Sequence, residues 1–204
     1  MLNGIMRIGV YGGTFAPVHN GHVMAARQFI SQMELDLLYV IPAAVPPHKQ
    51  IDASDDPRHR LRMCELAFSC VDKAIVSDME IARGGKSFTV DTLRALAGED
   101  RRLFLLTGTD MMLTLGEWRS AEEIFRLCYP VYMRREKDPI LEARIVAKNK
   151  EYLERFGKVV RRIPADVIEI SSTEIRTMVR EGRPLDGVVP PIVAAYIKEH
   201  GLYA

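Results

Sequence analysis

Short β-branched and aromatic runs alternate along the chain with longer stretches whose apolar residues recur at helical spacing. Arg7–Tyr11 predicts a strand that runs into Gly12-Gly13. Asn20 reads as the N-cap of a helix to about Met33, with Val23, Phe29, Ile30 and Met33 on its apolar side. Leu37–Ile41 predicts a short buried strand stopped by Pro42, and Ala43–Ser54, with Pro46 and Pro47, a loop. Asp56-Pro57 opens a helix to about Cys70, with proline at the first helical position. Ala74–Ser77 and Met79–Ile81 read as extended, Gly84-Gly85 as a loop and Thr89–Ala97 as helical. Leu103–Thr107 is a third strong strand, ending at Gly108. Short helices are expected at Met111–Leu115 and Ala121–Leu127, strands at Tyr129–Met133 and Val159–Ile163, and a charged helix at Pro139–Phe156. Ser172–Arg180 and Pro191–Glu199 complete the helices. Strands that are apolar along single unbroken runs, alternating with helices, are those of a parallel sheet covered on both faces. The expected class is therefore α/β. Ligands on such sheets bind at the carboxyl ends of the strands.

Composition changes this picture little. The 204 residues fit one domain, taken as spanning 1–204 with a helical C-terminal part from about residue 170. Charge is balanced, 28 Lys+Arg against 27 Asp+Glu, which argues against a broad nucleic-acid surface. No window approaches the ~18 uninterrupted apolar residues of a membrane span, and no secretory signal is apparent. Cys64, Cys70 and Cys128 are an odd number without metal-ligand spacing, and read as buried thiols in a reducing compartment. The expected setting is cytoplasmic.

Chemistry concentrates where predicted strands end. Gly12-Gly13-Thr14-Phe15-Ala16-Pro17-Val18-His19-Asn20-Gly21-His22 follows a strand and opens a helix. Glycines there let backbone N–H groups approach a phosphate, and the helix N-terminus favours negative charge. His19 and His22, three apart, project from one face and can donate to phosphoryl oxygens. Taken singly, the glycine pair is a turn and each histidine structural; the spacing matches neither the dinucleotide fingerprint nor a Walker A loop, and a metal site lacks a third ligand. Ile170-Ser171-Ser172-Thr173-Glu174-Ile175-Arg176 is a hydroxyl-rich helix start with an arginine one turn inside. Ser172 or Thr173 could cap it while free N–H groups and Arg176 hold a polyphosphate; alone, Ser171-x-x-Glu174 is a plain capping box.

The first of these segments resembles the H-x-G-H signature of the nucleotidylyltransferase superfamily, and the second its ISSTxIR motif. Three further segments narrow the resemblance to the nicotinate-mononucleotide adenylyltransferase family. Val45-Pro46-Pro47-His48-Lys49 resembles its PPHK loop. Ser87-Phe88-Thr89-Val90-Asp91-Thr92-Leu93 resembles SYTxDTL, with Phe for Tyr. Gly108-Thr109-Asp110 with Trp118 resembles GxD…W. The match is colinear from about residue 6 to 202. Two departures stand out: Ala16 where the family usually has Asp, which puts loop rigidity and turnover in question, and Met111 for a frequent Asn.

The resemblance implies a Rossmann-like sheet that transfers AMP from ATP to nicotinate mononucleotide, releasing nicotinate adenine dinucleotide and pyrophosphate in NAD biosynthesis. The 5′-phosphate of the mononucleotide would displace pyrophosphate in line without a covalent intermediate. It further implies that His19, His22 and Arg176 are catalytic. Gly12, Gly13, Thr14, Phe15, Gly108, Asp110, Ile170, Ser172 and Thr173 would join them in binding ATP. Thr14, His48, Lys49, Thr89 and Trp118 would bind the mononucleotide, its carboxylate held mainly by backbone N–H groups. Asp110 could accept from a ribose hydroxyl or cap the next helix; Trp118, the only tryptophan, could stack on the pyridine ring or be core. Mg²⁺ would arrive with ATP, needing no protein cage. The partners expected are ATP and the mononucleotide, without nucleic acid or membrane, and a homo-oligomer is compatible. Two rivals are a sister transferase acting on phosphopantetheine or nicotinamide mononucleotide, and a regulatory module that has lost catalysis.

Overall fold

The computed structural model describes residues 4–47, 55–133, 139–164 and 170–204. Within them six parallel strands form one sheet: β1 (Met6–Gly13), β2 (Leu37–Pro42), β3 (Ala74–Val76), β4 (Arg101–Gly108), β5 (Cys128–Met133) and β6 (Arg161–Ile163). Their order is β3-β2-β1-β4-β5-β6, and every neighbouring pair runs parallel. This is the doubly wound, Rossmann-like arrangement, with the order reversing between β1 and β4.

Alternate residues of the four inner strands β2, β1, β4 and β5 enter different cores, which explains their unbroken apolar runs. On one face Tyr11, Leu38, Val40, Phe104, Leu106, Val131 and Met133 pack with helices α1 (Asn20–Gln32), α2 (Pro57–Phe68), α8 (Ser172–Arg180) and α9 (Pro191–Glu199). On the other, Ile8, Val10, Leu103, Leu105 and Tyr132 meet α4 (Thr89–Leu96), α5 (Thr109–Thr114), α6 (Ala121–Leu127) and α7 (Pro139–Phe156). The C-terminal helices thus share the core of α1 and α2. Among the described residues no helix is long and apolar enough to cross a membrane.

Four local expectations are corrected. Met79–Ile81 is not extended but lies in a short helix, α3 (Met79–Arg83), closed by Gly84 at φ 71°. The pattern Met-x-Ile suits either state; the helix turns Glu80 inward, where its carboxylate accepts from Thr92 Oγ1 at 2.5 Å. Helix α2 stops at Phe68 rather than Cys70, and Cys70 is exposed, unlike Cys64 and Cys128. Burial pushes the Cys128 thiol up to about 12 and that of Cys64 up as well. Asn20 is not the N-cap of α1; His19 is, and Asn20 instead donates from its side chain to Gly187 O.

Candidate active site

Adjacent strands β1 and β4 end side by side at the reversal point, in Gly12-Gly13 and Gly108. A Cβ at Gly12 or Gly108 would meet no protein atom within 4 Å, so both face open space at the sheet's carboxyl edge. At Gly13 a Cβ would strike the ring of Phe15 at 2.9 Å. Phe15 itself is at φ 52°, buried, and edge-on to Tyr11 and His22 at ring distances of 5.4 and 5.0 Å. Its side chain belongs to the core, so any ligand contact it makes runs through its backbone.

The two histidines form the helix start. The backbone N–H of His19 donates to Nδ1 of His22 at 3.2 Å, within a reciprocal capping box. Their rings stack at 3.7 Å between centroids. Because Nδ1 of His22 accepts, its neutral ring carries the proton on Nε2. His22 is half-buried, whereas His19 is only 1% exposed. The two do not project alike from the helix start: the His19 ring lies packed against that of His22 and out of solvent. Gly21 serves this packing, since a Cβ there would stand 3.0 Å from the His19 ring.

Helix α8 closes on the same loop from the opposite end of the sequence. Ser171, not Ser172 or Thr173, caps it by accepting from Glu174 N–H. Ser172 Oγ donates to Pro17 O at 2.9 Å, and Arg176 Nη1 donates to Ala16 O at 2.7 Å. Arg176 also donates from Nη2 to Thr173 Oγ1 at 3.1 Å. Ile170 packs into the core beside Gly21. The loop is thus held by its backbone carbonyls, which explains how a buried alanine serves at position 16.

A third holding group was not read from the sequence. Arg60 on α2 is wholly buried and donates to four oxygens: Thr14 O (3.0 Å), Ala43 O (2.6 Å), Ala44 O (3.0 Å) and Asp55 Oδ1 (3.1 Å). The signal was present, because Arg60, Met63, Cys64 and Ala67 fall at the spacing of one buried helix face.

On the far side of the crevice, Thr89 is the first residue of α4 and Trp118 ends a 3-10 turn, Leu115–Glu117. The two segments meet: the Arg119 guanidinium lies 4.5 Å from the centre of the Phe88 ring. Trp118 is half-buried against the second core, with Nε1 donating to Thr114 Oγ1 at 3.4 Å. Tyr152, fully buried on α7, buttresses this turn by donating to Met112 O and accepting from Gly116 N–H. Asp110 is exposed in the first turn of α5, whose N-cap is Gly108, so it does not cap that helix. Ser87 Oγ accepts from Ala44 N–H at 2.8 Å, linking this side to the loop after β2. His48 and Lys49 lie outside the described residues. Raised by burial, the Cys64 and Cys128 thiols are poor nucleophiles.

Residues 10–178 match the Cytidylyltransferase-like family. The probable nicotinate-nucleotide adenylyltransferase of Thermoanaerobacter sp. (strain X514) is 35% identical, the match covering 97% of this chain and 94% of that protein. Its counterpart from Citrifermentans bemidjiense is 37% identical, covering 97% and 98%. The fold resembles that of Plasmodium falciparum nicotinic acid mononucleotide adenylyltransferase, solved with APC and with NaAD, at TM-score 0.73 and 18% identity over 97% of each chain. The chain belongs to the Cytidylyltransferase-like family and, within it, to the nicotinate-nucleotide adenylyltransferases.

Proposed function

We propose that this protein transfers AMP from ATP to nicotinate mononucleotide, with pyrophosphate leaving as nicotinate adenine dinucleotide forms. The observation that carries the reading is the convergence of the stacked His19–His22 pair and Arg176 on the loop that ends β1, at the sheet's reversal point. Curated relatives of this name at about 35% identity support the acceptor. An oxygen of the acceptor's 5′-phosphate attacks the α-phosphorus of ATP; that P–O bond forms while the bond to the β-phosphate oxygen breaks. The attacking phosphate carries its own charge, so no general base is required, and catalysis is alignment plus charge stabilisation.

His22, with Nε2 protonated, donates to an oxygen of the reacting phosphate. His19 supports that ring by stacking from its buried position. Arg176 uses two of its five N–H groups on the loop and Thr173, leaving donors for the β- and γ-phosphates with Ser172 and Thr173 nearby. Backbone N–H groups of Gly12–Phe15 and the start of α1 complete an anion site. Asp110 accepts from ribose. Thr89 and Trp118 frame the nicotinate, and His48 and Lys49 belong to the loop over its phosphate. This donor set suits phosphoryl oxygens rather than a cation. A divalent ion, Mg²⁺, would be bound mainly by phosphate oxygens and water and supply charge neutralisation of the triphosphate. The decisive test is pyrophosphate release. It is expected only with ATP and nicotinate mononucleotide together; release with phosphopantetheine instead, or none with any acceptor, overturns the reading.

A further inference from the structure

The buried guanidinium of Arg60 lies on α2, outside the sheet, yet it binds the loops that follow two adjacent strands, β1 and β2. On one side it holds Thr14 O, in the loop that carries the histidine pair; on the other it holds Ala43 O and Ala44 O, in the loop that leads from β2 to Val45-Pro46-Pro47. Asp55 fixes the plane of the fork through Nε. We propose that Arg60 is a positioning residue that sets the separation of the donor-binding and acceptor-binding loops, and so the alignment of the attacking phosphate with the α-phosphorus. The inference rests on the adenylyl-transfer reading.

The chemistry favours alignment over stability. Burying an arginine–carboxylate pair carries a desolvation cost that an apolar side chain of similar volume avoids, so such a pair adds little net stability. What an apolar residue cannot do is bridge three carbonyls of two separate loops. Neither can lysine, whose three donors radiate from one point, whereas the planar fork spreads its five over two directions. Each of the three carbonyls lies at the carboxyl end of β1 or β2, one or two residues past the last strand residue. A shift at Arg60 therefore moves both loops relative to each other rather than either alone. Ser87 holds Ala44 from the side of α4, and Arg176 and Ser172 hold the first loop from α8. The Ala43 N–H also donates to Gly13 O at 2.9 Å, in line with the sheet; among the described residues Arg60 is the side chain that bonds to both loops.

The test uses the full-length protein. Arg60→Lys is expected to lower kcat about 10- to 100-fold while KM for ATP and for the mononucleotide each change less than about threefold, because misplacement by about 1 Å costs alignment before binding. Val160→Ala, in the other core beyond the opposite end of the sheet, serves as a destabilised control that keeps wild-type kcat. Amide exchange gives a readout independent of activity: segments 12–18 and 42–47 should both exchange faster in Arg60→Lys and not in the control. Equal kcat per folded molecule, or a loss that tracks melting temperature alike in both variants, makes Arg60 merely structural and overturns the proposal. Where Arg60→Lys does not fold, Asp55→Asn carries the same test, with kcat expected about three- to tenfold lower at unchanged KM; wild-type kcat there overturns it. A wild-type protein that releases no pyrophosphate defeats the adenylyl-transfer reading instead, and the exchange measurement still decides whether Arg60 couples the loops.

Discussion

His19 and His22 look interchangeable in the primary structure, three residues apart at one helix start, but their surroundings separate them. His22 is half-buried with a fixed tautomer; His19 is packed beneath it. Replacing His22 by Ala is expected to lower turnover by roughly 10²–10³, the loss for a transition-state donor, with little change in stability. Replacing His19 by Ala should lower turnover and also cost about 1–3 kcal/mol, as an emptied buried site does. Steady-state kcat beside urea unfolding of each variant checks this, and an unaffected midpoint in His19→Ala contradicts the packing role. Trp118→Ala should raise KM for the mononucleotide far more than for ATP, by the about 1–3 kcal/mol of a lost ring stack. Loss of stability with KM unchanged would place Trp118 wholly in the core it already touches.

Helix α2 shows how an element far from the histidines bears on them. It begins with Asp56 as N-cap and Pro57 at the first position, and it delivers Arg60 one turn later. The Asp56 carboxylate accepts from the side chain and backbone N–H of Arg58, which holds its pKa down at about 2. A carboxylate with a depressed folded-state pKa contributes stability above its unfolded value, near 3.8, and loses it as pH falls toward the folded value. Asp56→Ala should thus cost about 1 kcal/mol at neutral pH, the usual loss for a cap, and the difference from wild type should shrink between about pH 4 and pH 2. Thermal melts of both proteins across that range measure it; a difference that persists at pH 2 would show that the carboxylate charge is not the cause. The turn before Trp118 depends in the same way on Tyr152, three elements later in the chain.

At the scale of the whole molecule, acceptor choice is the property to measure. The N-terminus of α4 at Thr89 and the chain after Trp118 approach each other through the Arg119–Phe88 contact, and we propose that the acceptor's carboxylate is held by the first-turn N–H groups that a helix start leaves without an intrahelical partner. Such donors match a carboxylate oxygen, whereas an amide would set its NH₂ against one of them. Mispaired buried groups of this kind discriminate by up to ~10⁴, so the acid mononucleotide should be strongly preferred over the amide. The exposed Arg119 charge should add to the preference at low ionic strength and fade with salt. The measurement is kcat/KM for each acceptor at saturating ATP and fixed ionic strength; equal values would move this chain to another branch of its superfamily.

Most of the strands and helices, the class of sheet and the place of the histidine pair at a helix start could be read from the chain alone, because each follows from local periodicity and glycine placement; α3 and the cap of α1 could not. Periodicity also put Arg60 on the buried face of α2, but a charge at an apolar position has no readable meaning until its partners are known. Its oxygens come from Thr14, Ala43 and Ala44, up to 46 residues away, and Arg176 finds Ala16 at a separation of 160. The same holds for Glu80 in α3, whose buried carboxylate finds Thr92 at a separation of 12. Local pattern specifies which backbone state a segment prefers. Which side chain meets which carbonyl depends on how the sheet brings distant loops to one edge, and that is where tertiary packing alone decided the burial of His19 and the means by which the loop around Ala16 is held.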